Sequence, residues 1–126
     1  VTIGNNSFDG CASLAQLTMP EPLATIGEYA FRNSGLTGIT FQRNLTIIGK
    51  YAFDGCKDLV SINFPANVTE IKEYTFNDCV KLKNIELPNG LIYIKDYAFN
   101  GCASLGKVTI PGGVQNISPG AVSYTH

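Results

Sequence analysis

The amino-acid sequence predicts a repeat solenoid, and three observations carry that prediction. An isoleucine recurs at Ile3, Ile26, Ile48, Ile71, Ile94 and Ile117, at spacings of 23, 22, 23, 23 and 23 residues. A phenylalanine follows five residues later at Phe8, Phe31, Phe53, Phe76 and Phe99, with Val122 in that place in the last, broken copy. Each full copy then carries glycine, asparagine or aspartate at one fixed point: Gly10, Asn33, Gly55, Asp78 and Gly101. A period of about 20 to 50 residues marks a stacked-repeat architecture. One such repeat cannot bury its own apolar side, so neighbouring copies must share a continuous core.

Residues 48–65, IGKYAFDGCKDLVSINFP, display the unit. Aligned on phenylalanine, each repeat reads I-G-x-Y-A-F-x-G-C-x-x-L-x-x-I-x-I-P-x-x-V-x-x. The first copy, residues 3–25, has Asn6 where the others have tyrosine. The second, residues 26–47, is one residue short between Phe31 and Leu36, with Ser34 for cysteine and Gln42 for proline. The copies from Ile48, Ile71 and Ile94 keep the pattern, and a partial one starts at Ile117. The whole chain, 1–126, is expected to be a single array of about five repeats.

Each element follows from its local spacing. In Leu59, Ile62 and Phe64 the last two apolar residues alternate, which predicts a short strand with one face inward. Pro65-Ala66-Asn67 predicts a turn, whose third position is Asn44, Asn67, Gly90 or Gly113. Those residues suit a left-handed conformation, whereas Pro22 predicts a different turn in the first copy. A second extended piece, residues 68–71, places Val68 and Ile71 inward. Glu73-Tyr74-Thr75-Phe76 and its equivalents predict a single helical turn, stopped by the left-handed row from Gly10 to Gly101.

Composition narrows the function. Hydrophobic residues make up 44% and charged residues 15%, the balance of an ordered chain. The net charge of −1 leaves no basic footprint for nucleic acid. No apolar run approaches the roughly 18 residues of a membrane span, and no signal peptide is visible at Val1. The chain begins in mid-repeat without methionine, so a longer parent array is expected, and the uncapped edge at Val1-Thr2-Ile3 leaves end-to-end self-association open. The single histidine, His126, is terminal. No Ser-His or Cys-His set can therefore form inside the body, and no phosphate loop is present. No cofactor is implied.

The run L-x-x-I-x-[IFL]-P followed by I-G-x-Y-A-F-x-G-C, clearest in IGKYAFDGC and IKDYAFNGCASL, resembles the BspA-like leucine-rich repeat family. The resemblance covers essentially the whole chain. It implies a right-handed curved solenoid, with the strand at Leu17-Thr18-Met19 and its equivalents on the concave face. It also implies a cell-surface or secreted protein, often an adhesin for host or matrix proteins. The usual leucine-rich asparagine ladder is supplied only by Asn44 and Asn67.

Five sets of residues invite a site. Thr18, Thr40, Asn63, Glu86 and Thr109 should point out of the concave strand, beside Gln16, Gly38, Ser61, Asn84 and Lys107; they form either a solvated face or a contact surface for a protein or glycan. Tyr29, Tyr51, Tyr74 and Tyr97 form a second row, read as a structural stack or as interface anchors. Cys11, Cys56, Cys79 and Cys102 share a row with Ser34, which favours buried free thiols over zinc or disulfides. In the charged row Glu28, Lys50, Glu73 and Asp96, pairing with Lys72 and Lys95 outweighs calcium, because two carboxylates fall short of its usual six to eight oxygens. Sequons stand at Asn5, Asn44, Asn67 and Asn116.

The expected function is thus a non-enzymatic binding module, an extracellular or cell-surface adhesin with a protein or glycan ligand of host or matrix origin. A structural spacer within a longer array is the alternative. An enzyme on a right-handed β-helix, such as a polysaccharide lyase, would show neither helical turns nor glycine stops in every coil.

Overall fold

The structure, a computed structural model, describes residues 2–106, 108–118 and 120–121. The expectations placed on Val1, Lys107, Pro119, Val122 and the polar tail 123–126 fall outside the described residues. The strands are β1 (Thr2–Ile3), β2 (Gln16–Thr18), β3 (Thr25–Ile26), β4 (Gly38–Thr40), β5 (Ile47–Ile48), β6 (Ser61–Asn63), β7 (Glu70–Ile71), β8 (Asn84–Glu86), β9 (Tyr93–Ile94) and β10 (Asn116–Ile117). All pairings are parallel and join one coil to the next. Leu17, Ile39, Ile62 and Ile85 lie in one register, and Ile3, Ile26 and Ile48 in another. The 22- to 23-residue spacing is therefore the length of one coil.

Four of the five predicted strands sit where the alternation places them, as β2, β4, β6 and β8 of one continuous sheet, whereas the fifth, at Thr109, does not form among the described residues. The proline-headed turn is present but differs from expectation. It is closed by the amide of its fourth residue bonding the carbonyl of its first, as in Val68 to Pro65 at 3.4 Å and Leu91 to Pro88 at 3.0 Å. Neither Gly90 nor Gly113 is left-handed, and Asn44 and Asn67 are not among the positive-φ residues. A plain type I turn keeps negative φ at that position. Asparagine serves there through its side chain, since the Asn44 and Asn67 amides donate to the Glu21 and Arg43 carbonyls of the preceding coil. The first copy closes with the same bond, Leu23 to Pro20 at 3.1 Å, despite Pro22.

The predicted helical turn is instead a run of tight turns, and no helix occurs among the described residues. In the third coil, Ala52, Asp54 and Cys56 donate to Gly49, Tyr51 and Phe53 within the coil. The intervening amides of Tyr51, Phe53 and Gly55 donate to Glu73, Thr75 and Asn77 of the next coil, at 3.2, 2.9 and 2.8 Å. A helix would direct all its amides along its own axis, so it could not bond sideways to a neighbour. The left-handed row is as expected: Gly10, Asn33, Gly55, Asp78 and Gly101 have φ between 55° and 77°. A second left-handed row, unexpected, holds Asn6, Tyr29, Tyr51, Tyr74, Tyr97 and Gly120.

Stacked coils seal the core. Phe31, Phe53, Phe76 and Phe99 are at most 1% exposed, and from Phe8 onward successive rings lie 5.1–5.4 Å apart and nearly parallel. Phe41 and Phe64 meet Phe53 and Phe76 edge-on. Leu36, Leu59, Val68, Leu82 and Leu91 are fully buried beside them.

The second ladder is not continuous. It divides into β1-β3-β5 and β7-β9-β10, with no pairing between β5 and β7. A Cβ on Gly49 would lie 2.6 Å from the backbone of Gly27 in the coil below, and one on Gly27 would lie 2.8 Å from Gly4. The fourth coil carries Lys72 at that place and Thr75 where its neighbours have alanine. Thr75 is buried, and its hydroxyl donates to the Lys72 carbonyl at 2.8 Å while lying 3.4 Å from the Gly49 carbonyl. The bulkier pair coincides with the gap.

Phe76→Ala should cost about 3–5 kcal/mol, as truncation of a large core residue does. Thermal and denaturant unfolding check this, and a variant within about 1 kcal/mol of the parent would contradict the placement of Phe76 between coils.

Candidate functional site

Strand alternation turns Thr18, Thr40, Asn63 and Glu86 outward from the four-stranded sheet, and all four are exposed, as is Thr109 one coil on. Thr109 lies outside any strand. Gln16, Gly38 and Ser61 run beside them in register. Six of these residues, Gln16, Thr18, Gly38, Thr40, Ser61 and Asn63, line a shallow depression of about 230 Å³ together with Leu17 and Ile39.

The tyrosine row stands apart from this sheet, in the run of tight turns. Its rings stack at 4.7, 4.8 and 5.2 Å, from Tyr29 through Tyr51 and Tyr74 to Tyr97. The Arg32 guanidinium covers the Tyr29 ring at 4.3 Å. Gly120 lies so close to Tyr97 that a Cβ there would be 2.6 Å from the ring. Ring faces are thus used within the protein, leaving edges and hydroxyls for solvent. Burial pushes the Tyr51 hydroxyl above its ordinary value, with Tyr29 and Tyr74 adding to the shift.

The cysteines are free, buried in all but the first coil. Cys56, Cys79 and Cys102 donate to the carbonyls of Phe31, Phe53 and Phe76 in the preceding coil, at 3.1–3.2 Å. Ser34 fills the same row and lies 3.4 Å from Cys56 Sγ. Burial pushes Cys56 up to about 11 and Cys102 up to about 12, and Cys79 well above its ordinary value. These thiols are therefore poor nucleophiles.

A polar row that the sequence reading passed over follows the phenylalanines. Arg32 forks onto Asp9 with its Nε 3.0 Å and its Nη2 2.6 Å from the carboxylate oxygens, which holds Asp9 below its ordinary range. Further along, Asn100 donates to Asn77 and Asn77 to Asp54, each at 3.0 Å. Burial pushes the Asp54 carboxyl above its ordinary 3.8 against that hydrogen bond. A hydrogen-bonding residue after every phenylalanine was the available signal. In the charged row Lys50 reaches Glu73 at 3.9 Å, and Lys95 reaches Glu70 at 3.7 Å. Such exposed pairs contribute little.

Chemically, these rows offer hydrogen bonds and shape. The fold defines a class: a parallel β-solenoid with an aliphatic-rich strand in every coil. The BspA type leucine rich repeat profile matches residues 1–126 in 6 copies, and the chain belongs to that family. It is similar to a leucine-rich repeat protein from Bacteroides ovatus, with 30% identity over 93% of this chain and 36% of that one, and a TM-score of 0.64. It is also similar to the T. pallidum leucine rich repeat protein, with 29% identity over 94% of this chain and 66% of that one, and a TM-score of 0.75. A leucine rich cell surface protein from Faecalibacterium prausnitzii shares the fold at 22% identity, over 95% of this chain and 48% of that one, with a TM-score of 0.52. The chain thus spans less than two thirds of the Bacteroides protein and about two thirds of the T. pallidum one. None of the curated proteins compared with it matches. Helix content fails as a way to tell this family from a β-helix, because tight turns replace the helix; the family match decides instead.

Two expectations follow. Asp54→Asn should raise the melting temperature at pH 7, because the native state holds a carboxylate it disfavours. Asp54 has a folded pKa above its unfolded one, so the penalty is full above the folded value and disappears as pH falls below 3.8. The gain over the parent should therefore shrink to nothing in acid melts. In native protein, a thiol reagent at pH 8 should label Cys11, which is half-buried, and leave Cys56, Cys79 and Cys102 unlabelled until denaturant is added.

Proposed function

We propose that the array is a non-enzymatic binding module of a cell-surface or secreted protein, an adhesin that contacts a host or matrix protein or its glycans. One observation carries this reading. The outward row of the four-stranded sheet is exposed at every coil, while the strand centres beside it at Ile39 and Ile62 are committed to the core. Thr18, Thr40, Asn63, Glu86 and Thr109 are thus free of packing demands, and the coil register presents them at regular intervals. The mechanism is display: a partner touches several coils at once, and each contact adds to the others. The surface location rests on the family to which the chain belongs.

The tyrosine row is a second contact candidate, since tyrosine anchors interfaces through a rigid ring and a hydroxyl. The spacer reading has its own support in the lack of aromatic or arginine side chains on the outward strand positions.

Two triple variants test these readings against immobilised matrix and serum proteins. Thr40→Ala, Asn63→Ala and Glu86→Ala together should weaken capture at least tenfold, about 1.4 kcal/mol, with little change in melting temperature. Tyr51→Phe, Tyr74→Phe and Tyr97→Phe together keep the stack and remove its hydroxyls. Unaltered capture by both would leave the array a spacer.

A further inference from the structure

Gly38 is a glycine for which the fold supplies no reason. Gly10, Gly55, Gly101 and Gly120 hold positive φ, and at Gly27, Gly35 and Gly49 a Cβ would run into the backbone of the preceding coil. Gly38 is under neither constraint. Its φ lies outside the left-handed region, and a Cβ built on it meets nothing within 4 Å. It opens β4, paired on one side with Gln16 and on the other with Ser61. Glycine weakens a strand relative to alanine, because it gives up more backbone freedom on folding. In a strand it also marks sites where a ligand comes close to the backbone.

The surroundings state what kind of ligand. Gln16 and Ser61 flank the gap in its own row, Thr18, Thr40 and Asn63 line the row beside it, and the aliphatic Leu17 and Ile39 complete the lining between them. Each of the five polar side chains, Gln16, Thr18, Thr40, Ser61 and Asn63, carries a hydroxyl or an amide, so each can donate or accept. None is charged, and the strand backbones are engaged with one another in the ladder. The aromatic and arginine anchors that hold protein partners are missing from the lining. At about 230 Å³ the depression is smaller than the roughly 300–1,000 Å³ of drug-sized sites, so it suits a single ring. Glu86, one strand beyond Asn63, disfavours an anionic neighbour.

We propose that the depression over Gly38 is a subsite for one uncharged sugar residue of a glycan, held by hydroxyl and amide side chains of three successive coils. It rests on the reading of the outward sheet face as a contact surface and names the ligand class for it.

The test is capture of the 126-residue chain on immobilised neutral oligosaccharides of hexose and N-acetylhexosamine, with sialylated and sulfated counterparts and deglycosylated matrix proteins alongside. Gly38→Val fills the depression without strain and suits a strand. The parent should be captured by a neutral oligosaccharide, and Gly38→Val should lose at least tenfold while melting at the same temperature or higher. Undiminished capture of that oligosaccharide by Gly38→Val overturns the subsite. So does capture confined to charged glycans or deglycosylated proteins, or no capture of any neutral glycan. If the Thr40, Asn63 and Glu86 triple variant still loses capture in those cases, the sheet face survives as a contact surface and only the sugar assignment falls. Neutral-glycan capture insensitive to both variants overturns both.

Discussion

The structure depends on backbone amides that must point at the next coil. In the turn run, alternate amides leave their own coil, and the remainder close tight turns inside it. The chain can keep reversing in this way only if certain residues are left-handed, which is why two rows of positive φ run the length of the protein. Leaving such amides unpaired in a sealed interior would cost more than the conformational penalty of a left-handed tyrosine. Once these bonds fix where each coil starts relative to the last, every side chain lies over its counterpart. The phenylalanine stack, the thiol row and the outward row of the sheet are consequences of that register.

Stacking like on like sets its own chemical rules. An amide can donate to the coil on one side and accept from the coil on the other, so Asn77 and Asn100 extend a row without conflict. Carboxylates repel one another when repeated, and the row after phenylalanine answers by placing Arg32 between Asp9 and Asp54. The cysteines obey the same logic in a drier setting: a small side chain with one weak donor satisfies the spare lone pair of a carbonyl below it.

Much of this was legible in the sequence, because apolar spacing reports directly on what faces inward. Ile71, Phe76 and Leu82 are sealed where the periodicity places them. The turn chemistry was less legible. Asparagine at Asn44 and Asn67 signals a left-handed residue in isolation, but here it serves a coil that is adjacent only after folding. Tyrosine at Tyr51 gives no local hint of positive φ; Asn6 and Gly120 at the equivalent positions were the hint, visible only by comparing copies. Of the candidate site, strand alternation disclosed the outward row. That Gly38 is free of both backbone constraints became visible only in the folded chain, since a glycine forced by the backbone and one left open look alike on paper.

The gap between β5 and β7 gives the molecule a direction of weakness. Tension along the axis passes through the four-stranded sheet without interruption, but the other ladder stops at this one coil boundary, which the turn-run amides of Tyr51, Phe53 and Gly55 and the Thr75 hydroxyl still bridge. The third and fourth coils are therefore joined through the backbone along the sheet and the turn run, while the side carrying β5 and β7 relies on packed side chains, so a load on the array falls unevenly around the coil at that one boundary.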